Sequence, residues 1–201
     1  METVNILGVH VNKYTMNEAV EKAEELMESD SLSMIFTPNS EIILYASNNQ
    51  EFTDVLNSAD MIIPDGIGVV YGAKILKNPI KERVAGFDLV CNLFPKMAEK
   101  KQSVFLLGAK PGVALSAAEK LKEKYPGLVI AGTHDGYFKE DEPVVAQIRQ
   151  SQADLLFVCL GAPRQEKFMA RWGKELGVKL AMGLGGSLDV YAGAVERAPE
   201  S

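Results

Sequence analysis

DLLFVCLGAPRQEKF (residues 154–168) opens with an acid and six apolar residues, breaks at Gly161 and Pro163, and continues into a polar stretch. An apolar run of that length, bounded by turn residues, is a strand buried on both faces, and Gln165 to Leu176 behind it reads as a helix. The same grammar recurs in both directions along the chain. SMIFT (33–37) precedes a helical stretch from Ser40, and ADMII (59–63) precedes a segment from Ile67. SVFLLG (103–108) precedes 111–125, LVIAG (128–132) precedes 143–150, and LAMGLG (180–185) closes the series. Strands alternating with helices give an α/β fold of Rossmann-like type, a mainly parallel sheet with helices on both faces.

Val4 to Val11 is a largely apolar alternating run and reads as one further strand. Thr15 and Glu18 then stand at capping-box spacing, with Met16, Ala19, Val20, Ala23, Leu26 and Met27 on one helical face. The charged, proline-containing stretch Lys74 to Arg83 reads as a surface loop. No linker or repeat divides the chain, so residues 1–201 are expected to form a single core.

The chain has 201 residues, of which 47% are apolar and 24% charged, ordinary values for a folded globular domain. A net charge of -6 supplies no diffuse basic field, which argues against a nucleic-acid partner. Cys91 and Cys159 both lie in apolar segments, LVCNLF and LLFVCL, and read as buried free thiols of a reducing compartment. The start, METVNILGVHVNKYT, lacks the basic region and apolar core of a signal peptide, and no run approaches the ~18 apolar residues of a membrane span. The expected location is cytoplasmic. The chain stops at GAVERAPES without a capping segment, so continuation of the natural protein beyond Ser201 is expected.

His10 and His134 are the only histidines, and no spacing joins them to cysteines or carboxylates as metal ligands. EDEP (140–143) reads as an acidic helix start that complements the dipole. There is no GxSxG, and neither cysteine has a polar activating context, so nucleophilic hydrolysis is disfavoured.

Ligands of open parallel sheets bind beyond the carboxyl ends of the strands. Thr37-Pro38-Asn39, Asp65-Gly66, Gly108 to Gly112, Gly161 to Gln165 and Gly185-Gly186-Ser187 all follow strand-like runs. In LLGAKPGV, Gly108 lets backbone amides approach a phosphate ahead of a helix start, though an ordinary strand-to-helix turn at Pro111 fits equally. Neither GxGxxG nor the P-loop pattern is present. In GAPRQEKF, Arg164 and Gln165 suit a phosphate or sugar hydroxyls, or a solvated helix start. Tyr137 follows an Asp-Gly turn in THDGYF, where its ring either stacks on a base or packs in the core. Asp65 ends an apolar run as either a turn residue or a partly buried proton acceptor.

Taken in order, TPNSEI, IPDGIGVV, ERVAGFDL, FLLGAKPGV, GTHDGYF, LGAPRQEKF and GLGGSLDVYAGAVERAP resemble the WecG/TagA/CpsF family of bacterial glycosyltransferases, nearest to its TagA branch. The resemblance covers nearly the whole chain. It implies metal-independent, inverting transfer of N-acetylmannosamine from UDP-N-acetylmannosamine to the 4-hydroxyl of GlcNAc-diphospho-undecaprenol, a step of wall teichoic acid linkage-unit synthesis, with no cofactor. It makes Asp65 of the PDG motif the base. Thr37 and Asn39 would position sugar or acceptor hydroxyls, and Arg83, Arg164 and Gln165 would contact diphosphate and sugar. Tyr137 and Asp189 would contact the uridine. Members typically continue past VERAP into a basic appendage that completes the site and touches the membrane. The resemblance therefore implies a peripheral enzyme of the inner membrane face, of which this chain is a poorly active core whose exposed apolar surface favours self-association. Related readings are a member using UDP-N-acetylmannosaminuronate or another UDP-hexose; outside the family stand an NAD-linked oxidoreductase and a non-catalytic nucleotide-binding module.

Overall fold

A computed structural model describes residues 2–193, so the VERAP end of the last motif lies outside the described residues. The first element corrects the sequence reading. Val4 to Val11 is not one strand but an antiparallel hairpin, β1 (Thr3–Ile6) and β2 (Val9–Asn12), with Ile6 opposite Val9. Leu7 and Gly8 both take positive φ, 51° and 96°, and Asn5 Oδ1 accepts the Gly8 N–H at 2.8 Å. Two successive left-handed residues match the twist of a tight hairpin, which a straight strand cannot accommodate. The hairpin forms its own two-stranded sheet.

The remaining apolar runs are strands as expected: β3 (Ser33–Phe36), β4 (Met61–Ile62), β5 (Ser103–Gly108), β6 (Val129–His134), β7 (Leu155–Cys159) and β8 (Leu180–Gly183). All pair in parallel, in the order β4-β3-β8-β7-β5-β6. Their residues alternate between two apolar layers. Ile35, Leu106, Phe157 and Met182 face α1 (Met16–Met27), α5 (Gly86–Glu99), α6 (Val113–Lys124) and α9 (Ser187–Ala192). Phe36, Phe105, Val158 and Ala181 face the hairpin with α2 (Ser40–Ser47), α3 (Gln50–Asn57), α4 (Ile67–Ile75), α7 (Asp141–Ser151) and α8 (Arg164–Trp172). Burial on both faces explains why these strands read as unbroken apolar runs.

Helix α1 starts with the anticipated capping box, Thr15 and Glu18 each bonding the other's backbone. Several boundaries differ from the sequence reading: the helix read over Gln165 to Leu176, for one, is α8 to Trp172 followed by a 3-10 turn over Gly173–Leu176. Lys74 and Ile75 close α4, so the charged loop begins after them, and LVCNLF belongs to α5, a helix that carries Pro95 inside it.

The topology sets the ligand edge. After β3 and β7 the chain passes to the α2/α8 layer, whereas after the neighbouring β8 and β5 it passes to the α9/α6 layer. Neighbouring strands whose continuations part to opposite faces leave a crevice at their carboxyl ends. This arises at every neighbouring pair from β3 to β6, and cavities stand at two of these places, beside β3 and β8 and between β7 and β5.

Candidate active site

The first crevice is a cleft of about 390 Å³ walled by Thr37, Pro38 and Asn39 after β3, Asp65 after β4, and Leu184 to Ser187 after β8. Gln165 and Glu166 of α8 reach it from below the sheet edge, and Phe87 and Val190 complete the wall. Four of the anticipated residues, Thr37, Asn39, Asp65 and Gln165, thus meet in one place although 128 positions separate the first from the last (165 minus 37).

Each of them is fixed by the fold. Thr37 Oγ1 donates to the Gly183 carbonyl at 2.6 Å, tying β3 to the end of β8. Asn39 caps α2, its Oδ1 accepting the Ile42 N–H at 2.9 Å, so its carbonyl oxygen is already engaged. The half-buried Asp65 donates its backbone N–H to the Pro38 carbonyl at 2.9 Å, which holds the β4 loop against the β3 loop. Gln165, buried on the first turn of α8, accepts the Gly185 N–H through Oε1 at 3.2 Å.

Sequence reasoning passed over Glu166. Its residue exposure is 3%, and its Oε1 is buried with no hydrogen-bond partner among the described residues. Burial pushes its carboxyl up to about 7; the Gln165 amide and the helix backbone pull the other way and do not offset it. Gly183 makes room for this pair: a Cβ there would sit 3.2 Å from Gln165 Nε2 and 3.3 Å from Glu166 Oε2. A glutamate early in a helix ordinarily reads as a dipole complement; the sequence signal that marks this one is the bare glycine ending β8, which is visible only once β7 and β8 are known to be neighbours.

The second crevice, about 230 Å³, lies between the ends of β5 and β7 and is walled by Ala109, Lys110, Gly136, Tyr137, Cys159, Leu160, Arg164 and Asp189. Tyr137 is 68% exposed, and an Asx turn fixes its backbone, Asp135 Oδ1 accepting the Tyr137 N–H at 2.7 Å. Its ring is therefore not a core ring. Arg164 donates through Nη1 to the Gly136 carbonyl at 2.6 Å and lies 4.6 Å from the Phe138 ring centroid, so it braces the tyrosine's loop. Asp189 stands half-buried opposite them on α9. Burial pushes the Cys159 thiol up to about 12, which keeps it protonated.

Gly108 does not line this crevice; Ala109 and Lys110 do. Its φ of +130° and a Cβ position only 2.1 Å from the Cys159 carbonyl oxygen show what requires glycine there: close approach of β5 to β7. Arg83 lies half-buried in the loop before α5 and is not part of either wall. Both cysteines are free, Cys159 buried and Cys91 half-buried. Among the described residues, no group of three or more His, Cys, Asp or Glu is placed to hold a metal, and no helix is long and apolar enough to cross a membrane.

Comparison with known proteins gives this geometry a family. Residues 4–201 match the model of the glycosyl transferase WecG/TagA/CpsF family. A Bacillus spizizenii protein named N-acetylglucosaminyldiphosphoundecaprenol N-acetyl-beta-D-mannosaminyltransferase is 42% identical over 173 residues, 86% of this chain and 67% of that relative. Proteins of the same name from Bacillus subtilis and Staphylococcus aureus are each 37% identical, over 199 and 198 residues, covering 98% of this chain and 77% and 78% of theirs. A parallel α/β sheet, two crevices at its carboxyl edge and a family match along almost the whole length lead to one conclusion: the chain belongs to the WecG/TagA/CpsF family and is a glycosyltransferase.

Proposed function

We propose that this protein transfers N-acetylmannosamine from UDP-N-acetylmannosamine to the 4-hydroxyl of GlcNAc-diphospho-undecaprenol, forming a β-1,4 linkage with inversion and without a metal. The relatives' names support the sugar and the acceptor. The carrying observation is Asp65, a half-buried carboxylate on the wall of the crevice that also holds Thr37, Asn39 and Gln165.

In this reading the acceptor hydroxyl oxygen attacks the anomeric carbon as its proton passes to Asp65. The bond from that carbon to the diphosphate oxygen breaks, and UDP leaves with the electron pair. The nucleotide lies in the second crevice, its base on the exposed ring of Tyr137 and a ribose or base group donating to Asp189. Lys110 stands beside them, and Arg164, the first residue of α8, lines this crevice, so the N-terminal end of that helix favours a diphosphate. A helix N-terminus contributes at most ~2 kcal/mol to an anion, and one charge-assisted hydrogen bond about 1.5–3 kcal/mol. Transfer needs about 8 kcal/mol or more, so several groups share the departing charge. Arg83, Arg164 and Lys110 are the cations proposed for it; Arg83 would reach the diphosphate from the loop before α5.

The undecaprenol-linked acceptor in the relatives' names supports a peripheral position on the inner face of the cell membrane. Replacing Asp65 with Asn keeps size and removes the base. Transfer should fall roughly 10²- to 10⁴-fold while UDP affinity stays unchanged; a variant that transfers normally overturns the assignment. The expected metal independence is checked by transfer that persists in EDTA.

A further inference from the structure

Glu166 has no part in the mechanism above, yet it is the most deeply buried acid of the cleft. Native proteins seldom keep a buried oxygen without a partner, and on the wall of a cleft a bound ligand group is an explanation that fits one. Two features show a built position. Glu166 lies on the first turns of α8, next in sequence to Gln165 in the same cleft and two residues after Arg164 in the other crevice. Gly183 withholds the side chain that would otherwise crowd its Oε2.

A donor sugar is covalently joined to its diphosphate, so on the reading above it sits where the two crevices meet, at the start of α8. We propose that Glu166 is a sugar-contacting residue: its carboxyl hydrogen-bonds a hydroxyl or acetamido group of the donor hexosamine and holds the anomeric carbon towards Asp65. This rests on the nucleotide-sugar reading and adds to it the residue that recognises the sugar as distinct from the nucleotide. Burial, which holds the carboxyl near neutrality, lets it act as donor or acceptor according to the sugar group it meets.

The test is equilibrium titration of this chain with UDP and with UDP-N-acetylhexosamine. Glu166→Met keeps the bulk and removes the oxygens. It should lose about ten-fold in affinity for UDP-N-acetylhexosamine, the worth of one such hydrogen bond, with UDP affinity unmoved. Glu166→Asp keeps an acid in place but withdraws its oxygens by one methylene, and should lose the sugar selectivity too, whereas Glu166→Gln should retain most of it. Variants that bind UDP-N-acetylhexosamine as the unaltered chain does, or that lose UDP equally, overturn the sugar contact alone. An unaltered chain that binds neither ligand overturns the nucleotide-sugar reading and this proposal with it.

Discussion

The two crevices at the sheet edge are built by the same topological rule and differ in almost every other respect. The β3/β8 cleft is lined by groups already engaged with the backbone: Thr37 with Gly183, Asn39 with Ile42, Gln165 with Gly185. It also contains a carboxyl that burial keeps near neutrality. The β5/β7 crevice is smaller and presents exposed groups on two loops, Lys110 after β5 and Tyr137 on the loop braced by Arg164. A rigid, partly desolvated pocket suits proton transfer and fine discrimination of sugar groups, because fixed dipoles there need no reorganisation. An open crevice with an aromatic platform and cations suits capture of a nucleotide. On the function proposed above, the difference would mean that one sheet edge divides chemistry from binding by how deeply each switch point is buried.

Four variants probe that division. Asp65→Asn has the largest expected effect, the roughly 10²- to 10⁴-fold loss of transfer given above, read in a coupled assay of UDP release. Next comes Glu166→Gln, through stability. The Glu166 carboxyl is held near 7 in the fold and titrates as an ordinary glutamate when unfolded, so the native state binds more protons between these values. Stability contributed by the protonated form is therefore present below about pH 4.5 and is lost as pH rises through 7. Replacing the acid with the neutral amide should stabilise the chain more at pH 8 than at pH 5, by up to roughly 2–3 kcal/mol, read as a pH-dependent rise in melting temperature. A difference between variant and unaltered chain that does not change with pH would show that the carboxyl is not desolvated. Tyr137→Ala should cost about 1–3 kcal/mol of UDP affinity, the usual worth of stacking a base on an aromatic ring, without changing the melting temperature, since the ring is mostly exposed. Asn39→Ala removes the α2 cap and should lower stability by about 1 kcal/mol in a denaturant titration.

What the sequence disclosed follows the same division. LLFVCL and SVFLLG were readable as central strands because both faces are buried, so nothing polar interrupts them. Asp65, Thr37, Asn39 and Gln165 were readable as a group from the rule that ligands gather beyond strand ends, and the cleft brings them together. The hairpin was not, because Val4 to Val11 keeps its alternation through the turn, and only Gly8, with Asn5 three residues before it, marks the reversal. Helix α5 was obscured by the charged loop before it and by Pro95 within it. Gly108 was readable as a phosphate approach or as a strand-to-helix turn, but not as the place where β5 meets the β7 backbone, a neighbour 51 positions away (159 minus 108). Glu166 escaped for a related reason: its burial depends on Gly183 at the end of a strand that sequence cannot place beside it.

The most direct test of the divided edge is calorimetric titration of UDP into Asp65→Asn and Tyr137→Ala side by side. The division predicts unchanged UDP affinity for Asp65→Asn and about a ten-fold or greater loss for Tyr137→Ala. Loss of UDP binding in Asp65→Asn, with Tyr137→Ala unaffected, would place the nucleotide in the β3/β8 cleft and contradict it.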